Sequence, residues 1–362
     1  MSHIKKTHRK YKKGRIPKRY FILAGLLIVA CGLGAWFFYE VLFSKPAEIW
    51  YESKAPEGSV ISLPKDDAPH QAKIEWWYYN GHLRTESGKQ YSFHYTVFLI
   101  NGLMSHTVVH ASFNDYQTGR HYTDQHRFGG NPSTGLVNRF DFVLGDWLMK
   151  GQNGIDQLKI SNPDFGFDLN LASTLPPVFH GNKGIISMSL AGDSYYYSRT
   201  RMAITGSVKT GNKTEAVKGT AWFDHQWGDF STGHLAYDWF SLQLDDGADI
   251  MIYNLRDTAN KPTVSTVSYT QNGITEILPN TDFTLTPGAT WLSDKTGIAY
   301  PIEWTITIPK KHIAVTTRCI IDNSEFDAKL TTYNIYWEGA VKVKGSHTGL
   351  GFMELNGYPV KH

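Results

Sequence analysis

Beyond residue 72, apolar residues recur at every second position in short runs, and no amphipathic helix longer than about three turns can be traced. Such runs are Tyr91–Ile100, Thr200–Val208, Val217–Trp227, His234–Leu244, Trp304–Ile308 and Ala340–Val343. Turn-forming clusters separate them, among them Glu86-Ser87-Gly88, Thr210-Gly211-Asn212, Asp245-Asp246-Gly247 and Gln271-Asn272-Gly273. Strands roughly 8–14 residues apart with Gly, Asn and Asp turns specify antiparallel sheets closed as barrels or sandwiches, so the chain is expected to be all-β. Its 362 residues suffice for one large β domain or two ordinary ones, and an aromatic content of 14% supplies a packed core. A faint repeat, Ile74-Glu75-Trp76 and Ile302-Glu303-Trp304, agrees with two similar domains meeting near residue 230.

The net charge of +3 averages two unlike parts. Residues 1–40 hold nine Lys or Arg against one acid, Glu40, and removing that +8 leaves −5 for the rest. A mildly acidic body offers no broad basic face to nucleic acid. Residues 1–20 read as a basic cytoplasmic tail. The run Phe21–Tyr39 is uncharged, and at about 1.5 Å per residue it nearly spans a hydrocarbon core. With Trp36 and Tyr39 at its far end, residues 21–43 are expected to form a single transmembrane helix, a signal anchor in the inner membrane with the body in the periplasm. Ile28-Val29-Ala30-Cys31 also resembles a lipobox, so a lipoprotein acylated at Cys31 is the alternative. Residues 44–69, with Pro46, Pro56, Gly58, Pro64 and Pro69, read as a linker. The only other cysteine, Cys319, has no exported partner for an intramolecular disulfide.

The chain contains no G-x-S-x-G elbow, Walker loop, H-E-x-x-H, C-x-x-C or complete G-x-G-x-x-G, which removes several hydrolase and nucleotide-binding readings. His106 and His110 share one strand face but lack an evident third ligand, and read as structural. His121 and His126, beside Arg120 and Arg127, read as a solvated loop. No metal and no cofactor is assigned. Glu75-Trp76-Trp77-Tyr78-Tyr79 places aromatics on both faces of a strand, some toward an interior and others toward a neighbouring domain. In Ala221–Gly228, alternation puts Val217, Gly219, Ala221, Phe223, His225 and Trp227 on one apolar face, and Lys218, Thr220, Trp222, Asp224 and Gln226 on the other. His225 therefore points inward between two aromatics, as a satisfied structural group or as a proton-transfer group in an apolar pocket.

The stretches EWWYYNGHL (75–83), YYYSRTRMAITGSV (195–208), GTAWFDHQWGDF (219–230), YDWFSLQLDDGADIMIYNLRD (237–257) and YWEGAVKVKGSHTGLGFMELNGY (336–358) resemble the lipocalin-like carotenoid 1,2-hydratase family and its AttH-like branch of predicted secreted hydrolases. The resemblance covers roughly 70–358. It implies two consecutive lipocalin-like antiparallel β-barrel domains, at 70–232 and 233–362, joined just after the Asp-His-Gln-Trp-Gly motif. It also implies a catalytic His-x-Trp followed by Tyr-x-Asp. His225-Gln226-Trp227 matches the first and Tyr253 the tyrosine, but Leu255 stands where the aspartate is expected.

If Asp246-Gly247 forms a two-residue type I′ turn, Asp245 pairs with Ala248 and Asp238 lies opposite Leu255. Asp238, Phe240, Leu242, Met251, Tyr253 and Leu255 then share an apolar face, and Asp238 can replace the missing acid. The alternative for Asp238 is an ion pair with Arg201 or Arg256. The expected function is thus a membrane-anchored protein binding an apolar or isoprenoid-like small molecule and hydrating or cyclising it by acid catalysis. In that reading Asp238 donates the proton, Trp227 and Tyr253 stabilise a cation, and His225 steers water. Trp76, Phe223, Phe240, Met251 and Leu255 line the pocket. The rival is a non-catalytic carrier of hydrophobic ligands, or an accessory subunit of an envelope ABC-type permease.

Overall fold

A computed structural model describes residues 61–360 apart from 231–235 and 258, so the expected tail, membrane anchor and Cys31 lie outside the described residues. Among the described residues no helix is long and apolar enough to cross a membrane. The period-two pattern becomes strands, and among the described residues the helices are three single turns of 3-10 type.

The first sheet contains β1 (Ile74–Thr85), β2 (Gln90–Ile100), β3 (His106–Asp115), β4 (Arg120–Gly129), β5 (Phe140–Leu144), β6 (Trp147–Gln152), β7 (Ile155–Ser161), β8 (Phe165–Ser173), the short β9 (Val178–Phe179) and β10 (Ile185–Ser187), β11 (Asp193–Thr210) and β12 (Lys213–Gly228). Its strand order is β4-β3-β2-β1-β12-β11-β8-β7-β6-β5, with β9 and β10 paired to β11. The sheet rolls around one aromatic-rich core holding Trp77, Tyr79, Phe93, Phe113, Phe142, Phe167 and Phe223. Side chains help close the roll, as His126 of edge strand β4 meets Trp147 of β6 edge-on at 4.8 Å.

The second half runs β13 (Ala236–Leu244), β14 (Asp249–Arg256), β15 (Pro262–Gln271), β16 (Ile274–Leu278), β17 (Thr284–Pro287), β18 (Thr290–Leu292), β19 (Ala299–Pro301), β20 (Glu303–Ile308), β21 (Ile313–Cys319), β22 (Glu325–Ala328), β23 (Asn334–Gly345) and β24 (Gly349–Asn356). The order β16-β15-β14-β13-β24-β23-β21-β20-β17 repeats that of the first sheet from β4 to β6, with β13 in the place of β1, β24 of β12 and β23 of β11, and without a counterpart of β5 among the described residues. This sheet encloses its own core, including Phe240, Leu242, Ile250, Ile252, Trp304 and Trp337. The repeated tripeptide does not mark the repeat: Glu75 and Trp76 lie on central β1, while Glu303 and Trp304 lie on β20, whose counterpart is β7.

Strand alternation also builds the seam between the sheets. Trp77 and Tyr79 of β1 fill the first core, whereas Tyr78 and the half-buried Trp76 join Tyr196, Trp222, Trp239, Met251, Tyr253 and Phe352 in a third cluster drawn from both sheets. On β12, Ala221, Phe223 and Trp227 point inward and Trp222 outward, as the alternation predicts.

Three expectations are corrected. The β13–β14 turn has three residues, Asp245-Asp246-Gly247: the Leu244 amide donates to the Ala248 carbonyl, and Gly247 takes φ 90°. The register shifts by one, so Asp238 lies opposite Asn254, Trp239 opposite Tyr253, and Ser241 opposite Met251. A one-residue slip exchanges the faces of one strand, which puts Asp238 and Phe240 on the opposite face from Met251, Tyr253 and Leu255. Residues 61–69 belong to the first barrel and not to a linker, since Ile61 enters its core and Asp67 is buried. His121 and His126 lie on strand β4, where His121 Nδ1 contacts Asn114 Oδ1 at 2.7 Å.

Candidate active site

A cleft of about 950 Å³ opens at the seam, walled by Trp76, Tyr78, Phe98 and Asp224 from the first sheet and by Tyr237, Trp239, Tyr253, Tyr336, Glu338 and Glu354 from the second. Its lining combines aromatic faces with a few convergent polar groups, the usual make-up of a small-molecule site.

Two carboxyls dominate its chemistry. Glu338 of β23 and Glu354 of β24 are direct register partners, which sets their Cβ atoms about 5 Å apart. Tyr78 donates to Glu338 Oε1 at 2.5 Å, and Tyr237 donates to Glu354 Oε1 at 2.5 Å. Burial holds Glu338 well above the usual carboxylate range, and the neighbouring Glu354 charge raises it further. Burial pushes Glu354 up to about 7, partly offset by the Tyr237 bond. Two carboxyls this close do not ionise together readily, so the pair holds a proton more tightly than either carboxyl would alone.

The surrounding groups differ in what they leave free. Asp224, at the facing wall, accepts from Tyr196 Oη at 2.6 Å, Trp222 Nε1 at 2.6 Å and the Ser198 hydroxyl, and burial pushes it up to about 7. His94 approaches Glu338 Oε2 at 3.3 Å and Ser112 Oγ at 2.6 Å. Burial holds its ring well below its ordinary value, so it is neutral. Tyr253 lines the cleft, and among the described residues its buried hydroxyl has no hydrogen-bond partner.

The sequence-derived set is dispersed over the molecule. Tyr253 and Trp76 line the cleft, and Met251 and Leu255 pack in the seam cluster beside it. Phe223, His225 and Trp227 face the interior of the first barrel, and Phe240 that of the second. His225 Nε2 meets Glu75 Oε1 at 2.7 Å. Asp238 borders a hollow of about 590 Å³ that adjoins the cleft at Arg256, Asn260 and Pro359, and is held by Arg256 Nε at 3.0 Å, Asn254 Nδ2 at 2.9 Å and Tyr358 Oη at 2.7 Å. Asp238 and His225 belong to different sheets, and Asp238 makes the ion pair with Arg256 that the sequence offered as its alternative. Sequence reasoning missed Glu338, Glu354 and Asp224. The available signal was an acid on each of two apolar strands, Trp337-Glu338-Gly339-Ala340-Val341 and Phe352-Met353-Glu354-Leu355.

Two rolled antiparallel sheets with an acid-lined cleft at their seam define a class of double β-barrel proteins. The AttH-like family model matches residues 54–358, and the chain belongs to that family. An AttH structure from Nitrosomonas europaea superposes with TM-score 0.77 at 26% identity, covering 85% of this chain and 99% of that one. Kievitone hydratase from Nectria haematococca superposes with TM-score 0.69 at 18% identity, over 82% and 92% of the two chains, and so shares the fold. The dehydratase AsqC of Emericella nidulans is 23% identical over 213 residues, 55% of this chain; the chain spans 60% of that relative's length.

Proposed function

We propose that the protein is a hydro-lyase that adds water to, or removes it from, an apolar small molecule held in the seam cleft. The observation that carries this reading is the Glu338–Glu354 pair, whose environments set the two acidities apart. Two carboxyls tuned apart supply one acid and one base at the same pH. In hydration, Glu338 delivers its proton to one alkene carbon. Glu354, ionised, takes a proton from water as the water oxygen bonds to the other carbon, and dehydration retraces the same steps. Positive charge on that carbon is stabilised by the faces of Trp76 and Trp239. The Tyr253 hydroxyl orients the substrate oxygen. The dehydratase relative and the hydratase that shares the fold support this reaction class.

The test is incubation of the protein in ¹⁸O-water with a panel of apolar alkenes and their alcohols, read by mass spectrometry. Wild type should incorporate label into at least one member. Glu338→Gln and Glu354→Gln should each lower the rate by at least about a hundredfold, the usual contribution of a general acid or base, while ligand quenching of Trp76 and Trp239 fluorescence persists. Equal rates in wild type and both variants would remove the dyad from the mechanism.

A further inference from the structure

A second cluster lies inside the first barrel and plays no part in the cleft. Residues 61–73 fold back against the barrel before β1 begins. Asp67 accepts from Tyr197 Oη at 2.6 Å, the Asn153 amide at 2.7 Å and Arg199 Nη2 at 3.3 Å, and its carbonyl accepts from Trp77 Nε1 at 3.2 Å. This anchoring brings His70 to the strands. His70 Nδ1 and His225 Nε2 both reach the same oxygen, Glu75 Oε1, each at 2.7 Å. One ligand atom from each of the three residues lies within 4.8 Å of the others.

Three features set this cluster apart from a chance contact. Glu75 is fully buried, and among the described residues its ion-pair partners are these two imidazoles. A buried carboxylate needs a cation or donors of this kind. The outer nitrogen of each imidazole has a partner: His70 Nε2 lies 3.5 Å from Asp66 Oδ1, and His225 Nδ1 lies 3.4 Å from Tyr197 Oη. That is the supporting arrangement metal-bound histidines show. Finally, the rings are fixed in place. His70 stacks on Trp227 with centroids 3.9 Å apart and planes at 4°, and His225 stacks on Trp77 at 4.4 Å.

We propose that His70, Glu75 and His225 form a zinc site that fastens the segment before β1 to the first barrel. Two imidazoles and a carboxylate are a ligand set zinc favours, and donors about 2.0–2.1 Å from a tetrahedral ion sit roughly 3.3 Å from one another. That spacing falls between the 2.7 Å contacts and the 4.8 Å limit of the cluster. The His70 side chain is 23% exposed while Glu75 and His225 are enclosed, so the ion enters, and water completes its shell, from the His70 side. Sequence spacing could not reveal the set, because its members come from a segment outside the sheet and from two strands paired only in the fold.

The proposal is tested on the full chain, with zinc alone as the probe. Elemental analysis after desalting should find one zinc per chain. A chelator should lower the melting temperature, and added zinc should restore it. Cobalt in its place should give the intense visible absorption of a four-coordinate site. His225 sits deep among aromatic rings, so His70→Ala carries the test. This variant should keep the β circular dichroism of wild type and bind zinc at least about a hundredfold more weakly, and Asp66→Asn should weaken binding about tenfold, as supporting groups do. Absence of stoichiometric zinc together with a melting temperature indifferent to chelator and zinc would overturn the site. So would full zinc affinity in His70→Ala, which would locate the ion elsewhere.

Discussion

Among the buried acids, what separates Glu354 from Asp224 is the number of donors that meet it. Three donors converge on Asp224 and fix it, whereas Glu354 has Tyr237 and faces Glu338. Because Glu354 is pushed up to about 7, the rate should fall about tenfold per pH unit below that value, where the base is protonated. Asp224→Asn removes a charge that helps raise Glu354, so the same limb should move to lower pH. Linkage gives the sign for stability. Glu354 stays protonated in the fold between its ordinary 4.5 and about 7 but ionises in the unfolded chain. Its contribution therefore declines as pH rises through that window, by about 1.4 kcal/mol per unit, and Glu354→Gln should remove that part of the slope in denaturant titrations. Asp238 has the opposite character, with Arg256, Asn254 and Tyr358 all bonded to its carboxylate. Asp238→Asn should cost about 3 kcal/mol by leaving Arg256 without its counter-charge, and turnover per folded molecule should not change. A large loss of turnover at unchanged stability would instead return Asp238 to the chemistry.

The β13–β14 hairpin shows how a single turn decides what an element presents. Gly247 at φ 90° closes a three-residue loop, so Gly247→Ala should cost about 1 kcal/mol in urea unfolding. A neutral or stabilising result would contradict this turn. Strand existence and facing were legible along β1 and β12, because Trp77, Tyr79, Phe223 and Trp227 alternate strictly with Tyr78, Trp222 and Asp224. The register of β13 on β14 was not, since Asp245-Asp246-Gly247 is compatible with both two- and three-residue turns and a slip of one exchanges the faces. The acid pair was illegible for a different reason. Glu338 and Glu354 are neighbours across strands, and a sequence displays each as an isolated polar residue among apolar ones. For His225 the alternation gave the right face, but its partners Glu75 and His70 arrive from elsewhere in the chain.

At the scale of the whole molecule, the two cores are joined by polar groups as well as by the seam cluster. Tyr78 bonds Glu338, Asn80 bonds Ser241 at 3.2 Å, His110 meets Tyr336 at 3.0 Å, His180 meets Ser268 at 2.8 Å, and Arg201 meets Asp249 at 2.8 Å. Separating the sheets would break every one of these bonds, each worth about 0.5–1.5 kcal/mol net, and would expose the apolar seam cluster to water. Calorimetry should accordingly show one unfolding transition, with equal calorimetric and van't Hoff enthalpies. Two resolved transitions would mean that the seam is weaker than its contacts imply.

The common strand order of the two sheets has one further consequence. Two copies of one topology on a single chain amount to a dimer whose protomers need not be identical. In a dimer of identical chains, every group beside the twofold axis appears twice, and what one wall carries the other must carry as well. Here β12 and β24 hold the same place in their sheets, yet β12 brings an aspartate bound by three donors and β24 a glutamate bound by one tyrosine. Joining the halves end to end permits that asymmetry: the acid on one wall has its oxygens taken up by three donors, while the acid on the other faces a second carboxyl.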